Sequence, residues 1–190
     1  KKVDIVHISP SHHYPTGIVM PISRRYELLG WASKGEGRYI IEDDYDSELR
    51  LGGKPIPTLQ SIDISEKVIY MNTFTKTLAS TVRISYMILP RPLLEQFYQK
   101  LSFYSCTVSN FEQYTLDLFI KEGYFEKHIN RLRNYYQNKK NGFLSAIRDS
   151  GLHKCVEISG EEAGVHFLMK LKTEKAEENV IELAKAQGIK

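Results

Sequence analysis

The sequence lacks the features that would place it in several large classes of protein. It has only two cysteines, Cys106 and Cys155, which are far apart and fit neither a CxxC pair nor a zinc-binding pattern. No apolar run approaches the roughly 20 residues of a membrane span, and no signal-peptide core follows the first two lysines. The 26 basic and 23 acidic side chains leave a net charge of +3, too small to indicate nucleic-acid or anionic-membrane binding. These absences predict a soluble, cytoplasmic protein with no membrane partner.

Signatures of several common enzyme classes are missing too. The chain has no Walker A, GxGxxG or GxSxG motif, and neither cysteine has a neighbour that would activate it as a nucleophile. Internal repeats, heptads and low-complexity tracts are also absent. The content of 42% hydrophobic and 26% charged residues is instead that of a folded globular protein.

The first half of the sequence alternates short apolar strands with helices, which predicts an α/β fold. We expect strands over 3–8, 38–41, 68–71 and 84–89, and a helix with Ser23 as its N-cap. Strands this apolar predict a mostly parallel mixed sheet with helices on both faces. The link over 72–83 is short for a parallel crossover, so the strand over 84–89 is expected to run antiparallel.

The second half has a different character. Helices are expected over 92–105, 110–121 and 124–150, the last one broken or softened near Gly142. Alternation over 165–171 predicts a half-exposed strand, followed by a helix over about 174–187. We therefore expect two units, residues 1–121 as part of a large domain and 122–190 as a linking helix with part of a small α+β domain. Because the sequence starts inside a strand and stops just past a helix, we expect it to be a section of a longer subunit.

Polar loops follow three of the predicted strands, at 9–17, 42–48 and 72–76. In open α/β sheets, ligands bind outside the carboxyl ends of the strands. In the third loop, Lys76 is flanked by hydroxyl side chains and followed by Arg83, a set that suits an anionic ligand such as phosphate. Taken alone, this segment is more typical of a surface lysine in a polar turn, since such spacings are common.

Five carboxylates occur within the seven residues from Glu42 to Glu48. Crowding them is costly without a cation or a cationic ligand, although most charge runs are simply solvated. The spacing matches no EF-hand, and we assign no metal site. In the first loop, His12 and His13 could bind a metal or stack on a ring, and ordinary surface histidines are at least as probable.

Taken in order, these segments resemble the fold-type I pyridoxal-phosphate (PLP) enzymes, the aspartate aminotransferase superfamily. Within it, they are most similar to the aminotransferase-like domain of MocR-type regulators, a branch of the GntR transcription factors. The resemblance covers essentially the whole chain and is carried by SPSHHYPTG (9–17), IIEDDYDSELR (40–50), YMNTFTKTL (70–78), RISY (83–86) and, more weakly, AGVHF (163–167).

The resemblance implies roles for the matching residues. Lys76 would form the internal aldimine with PLP, a task that needs a neutral amine, which burial beside another cation would favour. Asp43 would face the pyridine nitrogen and keep it protonated, so that the ring acts as an electron sink. Tyr45 would bond to the ring's 3-oxygen. The phosphate would be held by Arg83, Thr73 and Thr75.

The first loop resembles the family less closely. His12 and Tyr14 are expected to border the cofactor. Tyr14, however, stands where aminotransferases commonly have an asparagine that touches the 3-oxygen. His13 replaces a usual glutamine of the MocR-type domains, and Ser80-Thr81 replaces their Pro-Gly, with Arg83 left in register.

The resemblance leaves three functions open. The first is the effector domain of a MocR/GntR-type regulator, which senses PLP or an amino compound and acts on DNA through a domain outside this chain. The second is a PLP-dependent amino-acid aminotransferase, with Lys76 also acting as general base. The third is an α/β fragment that binds nothing. A homodimer is implied, since fold-type I sites usually lie at a dimer interface. Weak or no cofactor retention is expected of the 190 residues alone.

Overall fold

The computed structural model describes residues 3–52, 56–161 and 164–189. Two short 3-10 turns lie at Ser47–Leu49 and Leu152–Lys154. Along the described chain, the elements are β1 (Ile5–Ile8), α1 (Ile22–Ser33), β2 (Tyr39–Asp43), α2 (Leu59–Ile62), β3 (Val68–Thr73), β4 (Ser85–Ile88), α3 (Arg91–Leu101), α4 (Asn110–Lys121), α5 (Tyr124–Asp149), β5 (Val156–Ser159), β6 (Leu168–Leu171) and α6 (Glu177–Ala186).

Four strands form a mixed sheet in the order β1-β2-β3-β4. The first three strands are parallel, while β4 runs antiparallel to β3, with Ser85 opposite Thr73. The predicted α/β fold and the antiparallel last strand are therefore confirmed. The short link works because an antiparallel strand can return from the same edge of the sheet without a crossover helix.

The core lies on one face of this sheet. Ala32 of α1 and Leu59 of α2 pack there with Ile40 and Val68, and Trp31 is among the half-buried residues that surround them. The described residues leave the opposite face uncovered, and Ile5, Met71 and Met87 are exposed there. Asp43 lies on that open face, since side chains alternate along β2 and its neighbours Glu42 and Asp44 are buried.

Ser23 is not the N-cap of α1. The helix starts at Ile22 after Pro21, whose carbonyl accepts a hydrogen bond from the Arg25 N–H at 3.2 Å, and no side chain caps this end. Proline is suited to the position because its φ is fixed and its backbone is already extended, at φ −61° and ψ 152°.

The second half contains the long helix α5 and a two-stranded antiparallel sheet of β5 and β6. The predicted break near Gly142 is wrong, because α5 runs without interruption from Tyr124 to Asp149. The predicted half-exposed strand is shorter than expected, and all four residues of β6 are exposed. Its partner β5 was not expected from the sequence. Among the described residues, no helix is both long enough and apolar enough to cross a membrane.

Candidate functional site

A cavity of about 370 Å³ lies at the carboxyl ends of β2 and β3. Six of the eight residues expected to contact a cofactor line it. These are Asp43, Tyr45, Thr73, Thr75, Lys76 and Arg83.

The sheet topology explains why these residues meet. Asp43 ends β2 and lies opposite Met71 of the neighbouring parallel strand, which ends two residues later at Thr73. Because β4 is antiparallel and starts opposite Thr73, the residues just before it return to the same edge. Arg83 is thereby placed beside the loop that carries Lys76.

Asp43, on the acidic side of the cavity, has a neighbour that the sequence analysis missed. Nε2 of His7 lies 3.5 Å from Oδ2 of Asp43, with side chains 60% and 36% exposed. His7 pairs with Ile41, two residues before Asp43, so the alternation of the strands places both side chains on one face. That register could have revealed the pair. When protonated, His7 would stabilise the Asp43 carboxylate.

The basic side is formed by a hydrogen-bonded turn after β3. The Thr75 hydroxyl donates to the Val82 carbonyl at 2.8 Å, and the Thr73 hydroxyl donates to Thr75 Oγ1 at 3.0 Å. Lys76 and Arg83 are both exposed beside this turn. The burial expected of the Lys76 side chain is therefore not supplied by the described residues.

Tyr45 forms the wall between the cavity and the first loop. Its hydroxyl donates to the His12 carbonyl at 2.8 Å. Burial raises the pKa of Tyr45, and the negative charges of Asp46 and Asp43 raise it further. The phenol therefore stays protonated, and its oxygen has lone pairs left to accept a bond.

His12 and Tyr14 do not line this cavity. His12 is buried, and its Nδ1 is 2.7 Å from Oδ2 of Asp46. Tyr14 is 71% exposed and meets His166 edge-on, with ring centroids 5.5 Å apart. Of the weaker motif at 163–167, Ala163 lies outside the described residues, while Gly164 and His166 both lie against His12.

The acidic run is not the single cation-binding loop that crowding suggested. Glu42 accepts hydrogen bonds from the backbone N–H groups of Leu59 and Gln60 at 2.8 and 2.9 Å. Burial raises the pKa of this carboxyl, against the lowering effect of those two bonds. The buried Asp44 and Asp46 and the half-buried Glu48 have partners of their own: Tyr70 and Ser47 for Asp44, His12 for Asp46, and Asn72 for Glu48. Asp43 alone of the five lines the Lys76 cavity.

Known proteins resemble this chain in both sequence and structure, although no family model matches it. It is 45% identical to the HTH-type transcriptional regulator YdeL of Bacillus subtilis, over 98% of this chain and 40% of that protein. Identity to the probable rhizopine catabolism regulatory protein MocR of Rhizobium meliloti is 33%, over 97% of this chain and 37% of that protein. A crystal structure of Pyrococcus horikoshii kynurenine aminotransferase superposes with a TM-score of 0.83 at 30% identity, covering 100% of this chain and 46% of that one.

The mixed sheet, the strand-end cavity and this superposition define a fold-type I PLP-dependent transferase fold. Within that class, the chain belongs to the aminotransferase-like domains of the MocR-type regulators of the GntR family. It spans about 40% of the length of the regulators that it matches.

Proposed function

We propose that this chain is the PLP-binding effector domain of a MocR/GntR-type transcriptional regulator. The observation that carries the proposal is the cavity itself, which sets the Asp43 carboxylate, the Lys76 amine and the Arg83 guanidinium around one space. PLP needs those three groups, because it carries a basic ring nitrogen, an aldehyde and a phosphate. A ligand without a phosphate would leave Arg83 without a role.

Each lining residue would have a defined task toward that cofactor. Asp43, supported by His7, would hold a proton on the ring nitrogen by its negative charge. Arg83 would bind the phosphate together with the hydroxyls of Thr73 and Thr75, which would turn from their present partners toward it. Lys76 would bond to the aldehyde carbon through its amine, and Tyr45 would accept or donate one hydrogen bond at the ring. When bound, PLP supplies an electron-withdrawing ring that weakens bonds at the carbon next to an attached amine.

The regulatory role rests on the relatives, since the matching proteins are transcriptional regulators by name. In the proposed scheme an amino acid or amine reacts at the cofactor, and the change passes to a DNA-binding domain outside this chain. The protein would act in the cytoplasm as a homodimer. We also propose that residues 1–121 belong to the large domain, with 122–190 forming the linking helix and part of the small domain.

A second candidate is an amino-acid aminotransferase with Lys76 as general base. The structural likeness to kynurenine aminotransferase favours it, as does 33% identity to aromatic-amino-acid aminotransferase 1 of Thermococcus litoralis over 78% of this chain. The two candidates differ in turnover. A regulator should change its affinity for DNA when an amine is added, whereas an enzyme should release a keto acid over many cycles.

The site assignment is tested on the intact protein by borohydride reduction in the presence of PLP, followed by peptide mapping. Reduction fixes the cofactor to the lysine that holds it. We expect this pyridoxyl label on Lys76 and no labelled peptide in Lys76→Ala. Lys100→Ala, which removes an exposed lysine of α3, is the matched control and should label as the parent does. Label on another lysine, or an unchanged visible absorbance in Lys76→Ala, would refute the assignment.

A further inference from the structure

A buried cluster of two histidines and an aspartate lies beside the Lys76 cavity. His12 and Asp46 are 2% and 3% exposed. The His166 ring packs on that of His12, with centroids 3.8 Å apart and an angle of 30° between the planes. Gly164 permits this approach, because its φ of +63° is left-handed and a Cβ there would overlap the His12 ring. The chain thus brings two imidazoles from distant segments into one buried space.

Asp46 determines which His12 nitrogen is available. Its Oδ2 accepts a hydrogen bond from Nδ1 of His12 at 2.7 Å, which fixes the proton on Nδ1. In the neutral imidazole, Nε2 of His12 then carries the lone pair that can bind a ligand. This carboxylate–imidazole pairing is the arrangement that commonly supports a histidine bound to a metal.

Both Nε2 atoms are buried, and neither has a hydrogen-bond partner within residues 3–52, 56–161 and 164–189. A buried polar group without a hydrogen bond destabilises the folded state, so a ligand for two such atoms would be stabilising.

The spacing of the cluster suits an ion as well. One ligand atom from each of His12, Asp46 and His166 lies within 4.8 Å of the others. Ligands of a tetrahedral Zn²⁺ ion, with bonds of roughly 2.0–2.2 Å, are about 3.4 Å apart. Binding one ion would require the two stacked rings to rotate until both Nε2 atoms face it.

We propose that His12 and His166 bind a transition-metal ion of the Zn²⁺ type through their Nε2 atoms, with Asp46 orienting His12 and balancing the charge. Imidazole is a preferred ligand for such ions, and water or an incoming ligand fills the remaining positions. The ion would fasten the first loop to the segment before β6. This site is independent of the PLP proposal, since neither histidine lines the Lys76 cavity.

The test is a Zn²⁺ titration of the intact protein, freed of metal and of PLP, in competition with a chromophoric chelator. We expect one Zn²⁺ per chain, and binding at least about tenfold weaker in His166→Phe, which keeps a stacking ring but has no nitrogen. Asp46→Asn should weaken binding by about 10–100-fold, the usual effect of losing an orienting carboxylate. His13→Gln is the control, because it removes the adjacent, exposed histidine and should bind as the parent does.

A second measurement covers the case in which His166→Phe fails to fold. The parent protein loaded with Cu²⁺ should show nitrogen hyperfine splitting from two ring nitrogens in its electron paramagnetic resonance spectrum. The proposal is overturned if the parent binds no Zn²⁺, if His166→Phe binds as tightly as the parent, or if the copper spectrum shows fewer than two nitrogens.

Discussion

Arg25 and Glu42 form a fully buried pair beneath the sheet. Both side chains are 0% exposed and their charged atoms are 3.7 Å apart. Arg25 also donates to the carbonyls of Pro10 and Pro57, so it joins three segments.

We expect Arg25→Met to lower the free energy of unfolding by about 3–5 kcal/mol, because it leaves a buried carboxylate without its cation. Urea denaturation measures this, with Arg24→Met on the exposed side of α1 as the control; a loss equal to the control's would contradict the role.

Glu42 should also make stability depend on pH. Its pKa is raised in the folded protein by burial, so the folded state holds a proton more tightly than the unfolded chain. The contribution of this group is then complete below the ordinary glutamate pKa and is lost as the pH rises through the folded value. Compared with Glu42→Gln, the parent should become relatively less stable from pH 4 toward neutrality. A difference in stability between the parent and Glu42→Gln that does not change with pH would refute the shift.

There is a physical reason why some contacts of single residues could be predicted from the sequence and others could not. Asp43, Lys76 and Arg83 could be grouped from the sequence, because each follows or precedes a strand whose end lies at one edge. The partners of Glu42 and Asp46 could not, since Leu59 is 17 positions from Glu42 and His12 is 34 from Asp46. No local pattern encodes such a contact; it exists only once α2 and the first loop are packed.

Among the helices, α5 offers a direct test of the wrong prediction at Gly142. The residue is exposed within a continuous helix, and a Cβ there would meet nothing within 4 Å. Gly142→Ala should therefore raise the free energy of unfolding by about 0.5–1 kcal/mol, through helix propensity alone. Thermal unfolding followed by circular dichroism measures it. A lower stability would mean that the helix needs its glycine.

Gly164→Ala is expected to have the opposite effect on the free energy of unfolding. There the backbone is left-handed and the added Cβ would overlap the His12 ring, so we expect a loss of stability in the same assay. The loss should be accompanied by weaker Zn²⁺ binding, because the His166 segment is displaced. Unchanged stability in Gly164→Ala would show that the close approach to His12 is dispensable.

Some helices and strands are defined by residues close in sequence, and others by contacts with distant segments. The prediction for α4 matched its observed bounds, and that helix carries its own start signal, in which Ser109 and Glu112 exchange hydrogen bonds. By contrast, β5 has no such signal and is defined by its pairing with β6, in which Val156 lies opposite Leu171. The capped helix α4 was therefore readable to the residue, whereas β5, which is defined by its pairing, was not.

Across the whole molecule, α5 is the element that connects the sheet to the β5–β6 unit. Nε of Arg133 donates to the Glu48 carbonyl at 2.6 Å, and Nε2 of His128 lies 3.0 Å from the Thr77 carbonyl. At its other end, Lys140 donates to the Glu161 carbonyl at 2.9 Å. The linking helix α5 therefore contacts both proposed domains, and their stabilities should be coupled.

Arg133→Leu tests that coupling. Losing a charged donor to a partly buried carbonyl should cost about 1.5–3 kcal/mol. Trp31, the one tryptophan of this chain, packs in the sheet core and reports on that region, while circular dichroism at 222 nm is dominated by the helices. If α5 couples the two parts, Arg133→Leu lowers the denaturation midpoints of both signals together.

Arg131→Leu, which removes an exposed arginine two positions away, is the control and should leave both midpoints within the error of the parent. A helical signal that falls early while the Trp31 midpoint stays fixed would mean that the sheet folds without help from α5, and that the helix is held by the second unit alone.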